Sequence, residues 1–197
     1  MEESVHNSNP QEVQGLDLYE WVQALLQAVL LVILIFTFAA RLIGVEGTSM
    51  VPTLQNGDRL LVTSSLLYND YKYGDIVILR KQTFDLKPIV KRVIATEGQT
   101  VDIDFTAGEV RVDGVLLDEP YINDLTHEDE GVEFPLSVPE GCIFVMGDNR
   151  NGSTDSRDTR LGTVDTRYVI GRAVLLVFPG EDHYTKQRYF SRLGLLT

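Results

Sequence analysis

The chain has 197 residues, of which 44% are hydrophobic, and its formal net charge at pH 7 is −12. This length and apolar content suffice for one compact domain and an additional segment, which excludes two large domains. The acidic charge argues against a general nucleic-acid binder, because phosphate contacts require clustered Lys and Arg and the sequence contains no such block.

The N-terminal fifth of the chain divides into a polar part and an apolar part. Residues 1–19 are polar and acidic, contain no Lys or Arg, and are predicted to form a flexible tail. Residues 20–45 are mostly apolar, and about 20 such residues cross the hydrocarbon core of a membrane. Trp21 and Arg41 are residue types that anchor at the two interfaces. We therefore predict a single transmembrane anchor helix over residues 20–45.

Two other interpretations of this span are weighed against an anchor. A cleaved secretory signal carries positive charge before its apolar core, and none precedes this one. A half-buried core helix shows a polar face, which this run lacks. The orientation suggested by charge is a cytoplasmic C-terminal side, since Lys and Arg are absent before the span and Arg41 follows it.

The body of the chain, residues 46–180, alternates short β-rich segments with turn residues and is predicted to be mainly β. Asp113-Gly114 between two such segments predicts a two-residue hairpin loop.

Cys142 is the single cysteine, which excludes an internal disulfide, and it is expected to be a small buried side chain. The acidic segment 123–133 lacks the spacing of a calcium loop and is predicted to be a solvated loop. Residues 181–197 are predicted to be a polar C-terminal tail. The other predicted strands lie at 59–63, 76–79 and 101–105.

One serine directly after the apolar span is a candidate nucleophile. Gly47 and Pro52 restrict the backbone on either side of Ser49, which predicts a rigid turn that presents a hydroxyl. Such a hydroxyl needs a general base within about 3 Å, and none of the three histidines is flanked by a segment that would hold it rigidly. Side chains of a β-strand alternate between its two faces, so Lys91 is predicted to lie on the same face as its apolar neighbours two residues away. Burial there would favour the neutral amine, so Lys91 is the candidate base.

A third polar segment, residues 147–157 with the sequence GDNRNGSTDSR, lies between two apolar segments. Taken alone, it would be a tight turn in which Asp155 and Arg157 pair on the surface. The nucleophile segment, the lysine strand and this segment, in that order, resemble the bacterial type I signal peptidases over about residues 20–179. The resemblance implies a transmembrane helix followed by an all-β catalytic domain. It further implies an endopeptidase with a Ser-Lys dyad, without metal or other cofactor, that removes signal peptides from exported preproteins after small residues (Ala-x-Ala).

The resemblance also implies roles for individual residues. Ser49 would be the nucleophile, Lys91 the base and Ser153 the hydroxyl that orients the lysine amine. Asp155 and Arg157 would hold that loop rigid. The Ser49 backbone N–H would bind the oxyanion, and the second donor stays open between Gly47 and Thr48, since glycine stands where some family members have a serine.

A shallow apolar pocket suits the small side chains before the cleavage site. Its candidate lining residues flank the two catalytic positions, and each is equally interpretable as ordinary core: Val45, Met50, Leu54, Ile89 and Val90. The expected partners are signal peptides and the lipid bilayer, with no nucleic acid and no metal. The family places the catalytic domain on the extracytoplasmic face of the cytoplasmic membrane, against the indication from charge.

Two alternatives share part of this pattern. LexA-like self-cleaving repressor proteases use Ser and Lys on a related β fold, but they carry a DNA-binding domain where this chain has an apolar span. A non-catalytic, membrane-tethered binding domain of the same fold is the other alternative. The presence of both Ser49 and Lys91 argues against it.

Overall fold

The structure, a computed structural model, describes residues 10–196. Its contacts divide the chain into two compact units, with the division after Ala39. In the first unit, helix α1 (Pro10–Leu34) is followed by a π-helical turn (Ile35–Ala39). Pro10 at the first helical position has a fixed φ that suits a helix start. The stretch Leu18–Thr37 is long and apolar enough to cross a membrane. Of the predicted tail, residues 10–19 are helical, and residues 1–9 lie outside the described part of the chain.

The second unit contains two antiparallel sheets. The larger sheet has the strand order β1-β2-β11-β3-β4-β9-β10, and β12 pairs with β11. The smaller sheet has the order β7-β6-β5-β8. Three short 3₁₀ helices complete it, at Arg150–Gly152, Thr166–Tyr168 and Phe190–Arg192. The strands are β1 (Ala40–Gly44), β2 (Arg59–Ser64), β3 (Ile76–Leu79), β4 (Ile89–Thr96), β5 (Thr100–Asp104), β6 (Glu109–Val112), β7 (Val115–Leu116), β8 (Leu136–Ser137), β9 (Cys142–Met146), β10 (Val164–Asp165), β11 (Val169–Phe178) and β12 (Gly194–Leu195).

The last residues of the predicted anchor helix form a β-strand in the structure. Residues 40–44 form strand β1, which pairs along its whole length with β2, from Ala40 opposite Thr63 to Gly44 opposite Arg59. Val45 extends this pairing, since its N–H donates to the Asp58 carbonyl oxygen at 2.8 Å. An apolar run does not by itself distinguish helix from strand, so the boundary was not visible in composition. The turn that contains Ser49 therefore follows directly after a sheet strand.

Side-chain alternation organises the core around β3. Ile76 and Ile78 pack into one apolar cluster, and Val77 and Leu79 pack into another on the opposite side of the sheet. Strands β3 and β4 lie in the middle of the sheet, so both faces are covered and nearly every side chain is buried. In β5, by contrast, apolar residues are buried while the aspartates between them are exposed. Both patterns agree with a period of two.

The hairpin predicted at Asp113-Gly114 is confirmed. Val112 pairs with Val115 across a two-residue turn, and the turn residues have φ values of 52° and 80°. Positive φ at both positions defines the turn type whose twist matches that of paired strands. Cys142, which was expected to be buried, is only half-buried at the start of β9.

The C-terminal segment is ordered and contacts the nucleophile turn, although the sequence predicted a polar tail. Arg192 donates to both carboxylate oxygens of Asp58 at 3.0 and 2.7 Å and to the Thr53 carbonyl oxygen at 3.0 Å. The fully buried Asp58 also accepts hydrogen bonds from the backbone N–H groups of Gln55 and Gly180. A long-range pair of this kind leaves no local signal in the sequence.

Arg192→Ala is expected to lower the free energy of unfolding by about 3 kcal/mol, because a buried carboxylate would lose its charged partner. Urea unfolding of the full chain in detergent measures this. Arg188→Ala is the matched control, since Arg188 lies 4.0 Å from the largely exposed carboxylate of Glu181. Loss of such a pair changes stability by at most about 1 kcal/mol. Equal effects of the two variants would contradict the role of the Asp58 pair.

Candidate active site

Ser49 lies in a compact turn that connects β1 to β2. The Val51 N–H donates to the Thr48 carbonyl oxygen at 3.1 Å, and the Leu54 N–H donates to that of Met50 at 2.8 Å. Met50 and Leu54 are fully buried in the first apolar cluster, while Ser49 is half-buried. The buried side chains fix the turn, and the serine lies at its accessible side.

The third polar segment holds this turn from the other side. The Asn149 backbone N–H donates to the Ser49 carbonyl oxygen at 3.0 Å, and its side-chain amide donates to the Thr48 carbonyl oxygen at 3.2 Å. A Cβ added to Gly147 would overlap both the Ser153 hydroxyl oxygen and the Ser49 carbonyl oxygen. Glycine at this position is therefore what allows the Ser49 turn and Ser153 to approach each other.

Lys91 lies in the central strand β4, and only 3% of its surface is exposed. Its Nζ donates to the Ser153 Oγ at 2.9 Å. Burial lowers the pKa of Lys91 to about 8, against the opposing effect of the carboxylates of Asp155 and Glu130. The Ser49 hydroxyl makes no hydrogen bond to the other described residues. The structure thus brings together the Lys91 amine, the Ser153 hydroxyl and the backbone of the serine turn.

Asp155 and Arg157 support Ser153. The Ser153 hydroxyl donates to the Asp155 Oδ2 at 3.0 Å, and the Gly147 N–H donates to the same oxygen at 2.9 Å. Arg157 binds both oxygens of Asp155 through its Nε and Nη2, and both side chains are fully buried. Because the Ser153 proton points to Asp155, its oxygen lone pairs face the amine. The pair is buried, which differs from the surface pair expected for an isolated turn.

A second group of polar and charged side chains lies close to this centre, and sequence reasoning missed two of its members, Glu119 and Tyr121. Arg92 forms a bidentate pair with the buried Asp148, at 2.9 and 2.8 Å, and its guanidinium lies 4.0 Å from the centre of the Tyr121 ring. Arg150 pairs with Glu119. Glu119 and Tyr121 lie about thirty positions away from the third polar segment and show no motif. Asp148 and Arg150, in contrast, lie in the third polar segment, whose sequence had already drawn attention to them.

The acidic segment 123–133 is more than a solvated loop. The Leu125 carbonyl oxygen accepts a hydrogen bond from the Asn151 side chain, and the Glu128 carbonyl oxygen accepts one from Arg157. The Glu130 carboxylate accepts the Asp155 N–H at 3.2 Å. Part of this segment therefore packs on the third polar segment. Within residues 10–196, no group of His, Cys, Asp and Glu side chains has the arrangement of a metal site.

Four of the five candidate pocket residues lie together. Val45, Met50, Leu54 and Val90 belong to the first apolar cluster, and each is at most 8% exposed. Ile89 packs against the second cluster on the other side of the sheet. Strand alternation explains the separation, since Ile89 and Val90 are consecutive residues of β4.

Comparison with known proteins shows the family. A sequence model of the family described as "Signal peptidase, peptidase S26" matches residues 18–178. Signal peptidase I of Bacillus licheniformis is 41% identical over 170 residues, which cover 82% of this chain and 89% of that protein. Signal peptidase I T of Bacillus subtilis (strain 168) is 39% identical over 168 residues, which cover 81% of this chain and 85% of that protein. A solved signal peptidase I from Enterococcus faecalis V583 matches 52% of this chain and 96% of its own, with 30% identity and a TM-score of 0.43.

The family match over most of a mainly β domain defines the class of protein, a serine peptidase. The chain belongs to the signal peptidase family, peptidase S26. It is a hydrolase of the kind that removes signal peptides from preproteins.

Proposed function

We propose that this signal peptidase is a membrane-anchored endopeptidase with a Ser-Lys dyad, Ser49 and Lys91, that cleaves preproteins after small residues of the Ala-x-Ala type. One observation carries the assignment of the base. Lys91 is buried, and its amine donates to a serine hydroxyl that is itself held by a buried Asp-Arg pair. An amine with a pKa of about 8 is substantially neutral at mildly alkaline pH and can accept a proton.

In this mechanism the Ser49 Oγ attacks the scissile carbonyl carbon while its proton passes to the Lys91 amine. The tetrahedral intermediate collapses when the ammonium returns that proton to the leaving amine, which releases the mature protein. Water, deprotonated by Lys91, then attacks the acyl ester and regenerates Ser49. Ser153 serves both halves of the reaction. Its hydroxyl proton is held by Asp155, so its oxygen accepts one hydrogen of the Lys91 amine, and the lone pair of the neutral amine then points away from Ser153.

The oxyanion would be bound by the Ser49 backbone N–H and a second donor. Of the two candidates for that donor, the Gly47 N–H is occupied, since it donates to the Asn56 side-chain oxygen at 3.0 Å. We therefore favour the hydroxyl of Thr48, which is half-buried beside Ser49. The carbonyl oxygens of Thr48 and Ser49 are both held by Asn149, which supports a fixed orientation of this turn.

Selectivity for small side chains would come from the first apolar cluster. Val45, Met50, Leu54 and Val90 pack closely under the serine turn, so a pocket floored by them admits a methyl group more easily than a large side chain. The proposal also includes supporting roles for Asp155 and Arg157 and a catalytic domain that contains residues 46–180 together with strand β1 before them and Arg192 after them. The apolar stretch Leu18–Thr37 supports an anchor. The proposed orientation, with the catalytic domain on the extracytoplasmic face of the cytoplasmic membrane, is supported by the family resemblance alone.

Cleavage assays with the full chain in detergent test this proposal. We expect a leader peptide with Ala-x-Ala to be cut after the second alanine, and Ser49→Ala to lower kcat/KM by at least about 10³-fold. A matched peptide with phenylalanine in place of that alanine should be cut far more slowly. Full activity of Ser49→Ala would remove the proposed nucleophile, and equal cleavage of both peptides would remove the proposed selectivity.

A further inference from the structure

A cavity of about 400 Å³ opens to solvent beside the third polar segment. Ser153, which accepts the hydrogen bond from Lys91, is one of its lining residues. Two acidic side chains of the segment 123–133 line the same cavity, Glu128 and Glu130. The mechanism proposed above uses neither of them.

Glu130 contacts the groups that hold Ser153. Its Oε2 accepts the Asp155 N–H at 3.2 Å, and its Oε1 lies 3.5 Å from the Arg157 Nη2. The Glu130 side chain is only 17% exposed. Two residues, Asp155 and Ser153, therefore connect Glu130 to the Lys91 amine in a continuous series of contacts.

The charges around Glu130 do not balance its own. Asp155 and Asp158 face it as carboxylates, and Glu128 shares its cavity. Three cations also face it, Arg157, Arg160 and Lys91, but the first two are already paired. Arg157 binds both oxygens of Asp155, and Arg160 binds both oxygens of Asp158. Glu130 is thus a partly buried acid with incomplete compensation.

We propose that Glu130 is a positioning residue for the reaction, which acts through Asp155 by setting how much negative charge faces the Lys91 amine. Ionised Glu130 adds a second carboxylate to that of Asp155 and so favours the ammonium form of Lys91. Protonated Glu130 leaves the neutral amine favoured. The inference deepens the proposed Ser-Lys mechanism and depends on it.

The titration of Glu130 falls in the working range of the enzyme. Burial, and then the neighbouring Asp155, raise the pKa of Glu130 to about 7. As pH rises through this value, Glu130 ionises and opposes the deprotonation of Lys91, whose pKa is about 8. The rise of activity with pH should therefore occur at a higher pH in the wild-type protein than it would if Asp155 were the only carboxylate acting on Lys91.

Glu130→Gln tests this with little structural change, because the amide keeps an oxygen for the Asp155 N–H and loses only the charge. We expect the apparent pKa of kcat/KM to fall by roughly 0.5 to 1 unit, which makes this variant about three- to fivefold more active than wild type near pH 7. Glu128→Gln is the matched control: it removes an exposed carboxylate from the same cavity and should leave the profile unchanged. Glu130→Asp retains the charge and should keep the wild-type profile.

A second measurement reports on Glu130 without any substrate. Its folded-state pKa lies above the unfolded value, so the folded state binds more protons between the two values. Stability should therefore decline as pH rises from about 4.5 to about 7, and Glu130→Gln should lack this decline. Thermal melts of the full chain in detergent over this range compare the two proteins.

An unchanged or upward-shifted profile in Glu130→Gln would overturn the proposal, as would an equal shift in Glu128→Gln or a pH-independent difference in melting. If the wild-type protein cleaves with an alkaline rise but Glu130→Gln matches it, this inference fails alone. If the wild-type protein shows no rise, or Lys91→Arg is active, the proposed Ser-Lys mechanism fails and this inference with it.

Discussion

Lys91→Arg is expected to lower kcat/KM near pH 8 by at least about 10³-fold, although it keeps the positive charge. A guanidinium does not deprotonate in the range where proteins are stable, so it cannot accept the Ser49 proton. In the wild-type protein, burial holds the pKa of Lys91 at about 8. Activity should therefore rise about tenfold per pH unit below that value and level off above it. Initial rates on a leader peptide from about pH 5 to 10 measure both effects.

Lys91→Met provides the control for folding. The pKa of Lys91 is lower in the folded state than its unfolded value, so the unfolded chain binds more protons between the two values and stability rises with pH across this interval. At neutral pH the buried amine therefore destabilises the fold. The inactive methionine variant should be at least as stable as wild type near pH 7, and this advantage should shrink toward about pH 10. Substantial activity in the arginine or methionine variant would send the search for the base to another residue.

Gly147→Ala is expected to abolish most activity and to lower the free energy of unfolding by about 3 kcal/mol, as overpacking does in a well-packed interior. The new methyl group would meet the Ser153 hydroxyl and, at 2.5 Å, the Ser49 carbonyl oxygen. The Ser49 oxygen is a backbone atom, so relief requires the serine turn and the third polar segment to move apart. Separation would disturb the Lys91–Ser153 bond and the serine turn together.

The matched control for this variant is Gly44→Ala, where the added Cβ would meet only the flexible side chain of Arg59, at 3.5 Å. We expect this variant to stay within about 0.5 kcal/mol of wild type, as surface substitutions usually do. Urea unfolding and leader-peptide cleavage are measured for both. Full activity in Gly147→Ala would show that the close approach seen between Ser49 and Ser153 is not needed.

The elements that could be predicted from the sequence are those with a strict period or a special turn. The apolar run 76–79 and the Asp113-Gly114 turn are examples, because their signals lie within a few neighbouring residues. Strand β1 could not be separated from the apolar span before it, since both are apolar and only pairing with β2 distinguishes them. Strand β12 also depends on a partner, β11, for its definition.

The residues of the candidate site also divide into those with a local sequence signal and those defined by a distant partner. Ser49 and Lys91 became candidates through residue chemistry and local backbone restriction, whereas the expected partner of Lys91, Ser153, came from family resemblance. The bond between Lys91 and Ser153 spans 62 positions, and the contact of Glu130 with Asp155 spans 25. Contacts at such separations are created by folding and have no periodicity. The acidic segment therefore looked like a solvated loop, although its Glu130 faces the centre of the site.

The strand pairing of residues 40–44 decides where a shortened fragment of this enzyme, purified without detergent, should begin. A fragment that starts at residue 46, where the apolar span ends in the sequence, would lack β1 and leave β2 as an uncovered edge. Uncovered strands recruit other copies, so aggregation during purification is the expected outcome. A fragment that stops at residue 178, the limit of the family match, would lose Arg192 and leave Asp58 buried without its cation. Truncation limits of 40 and 196 retain both contacts.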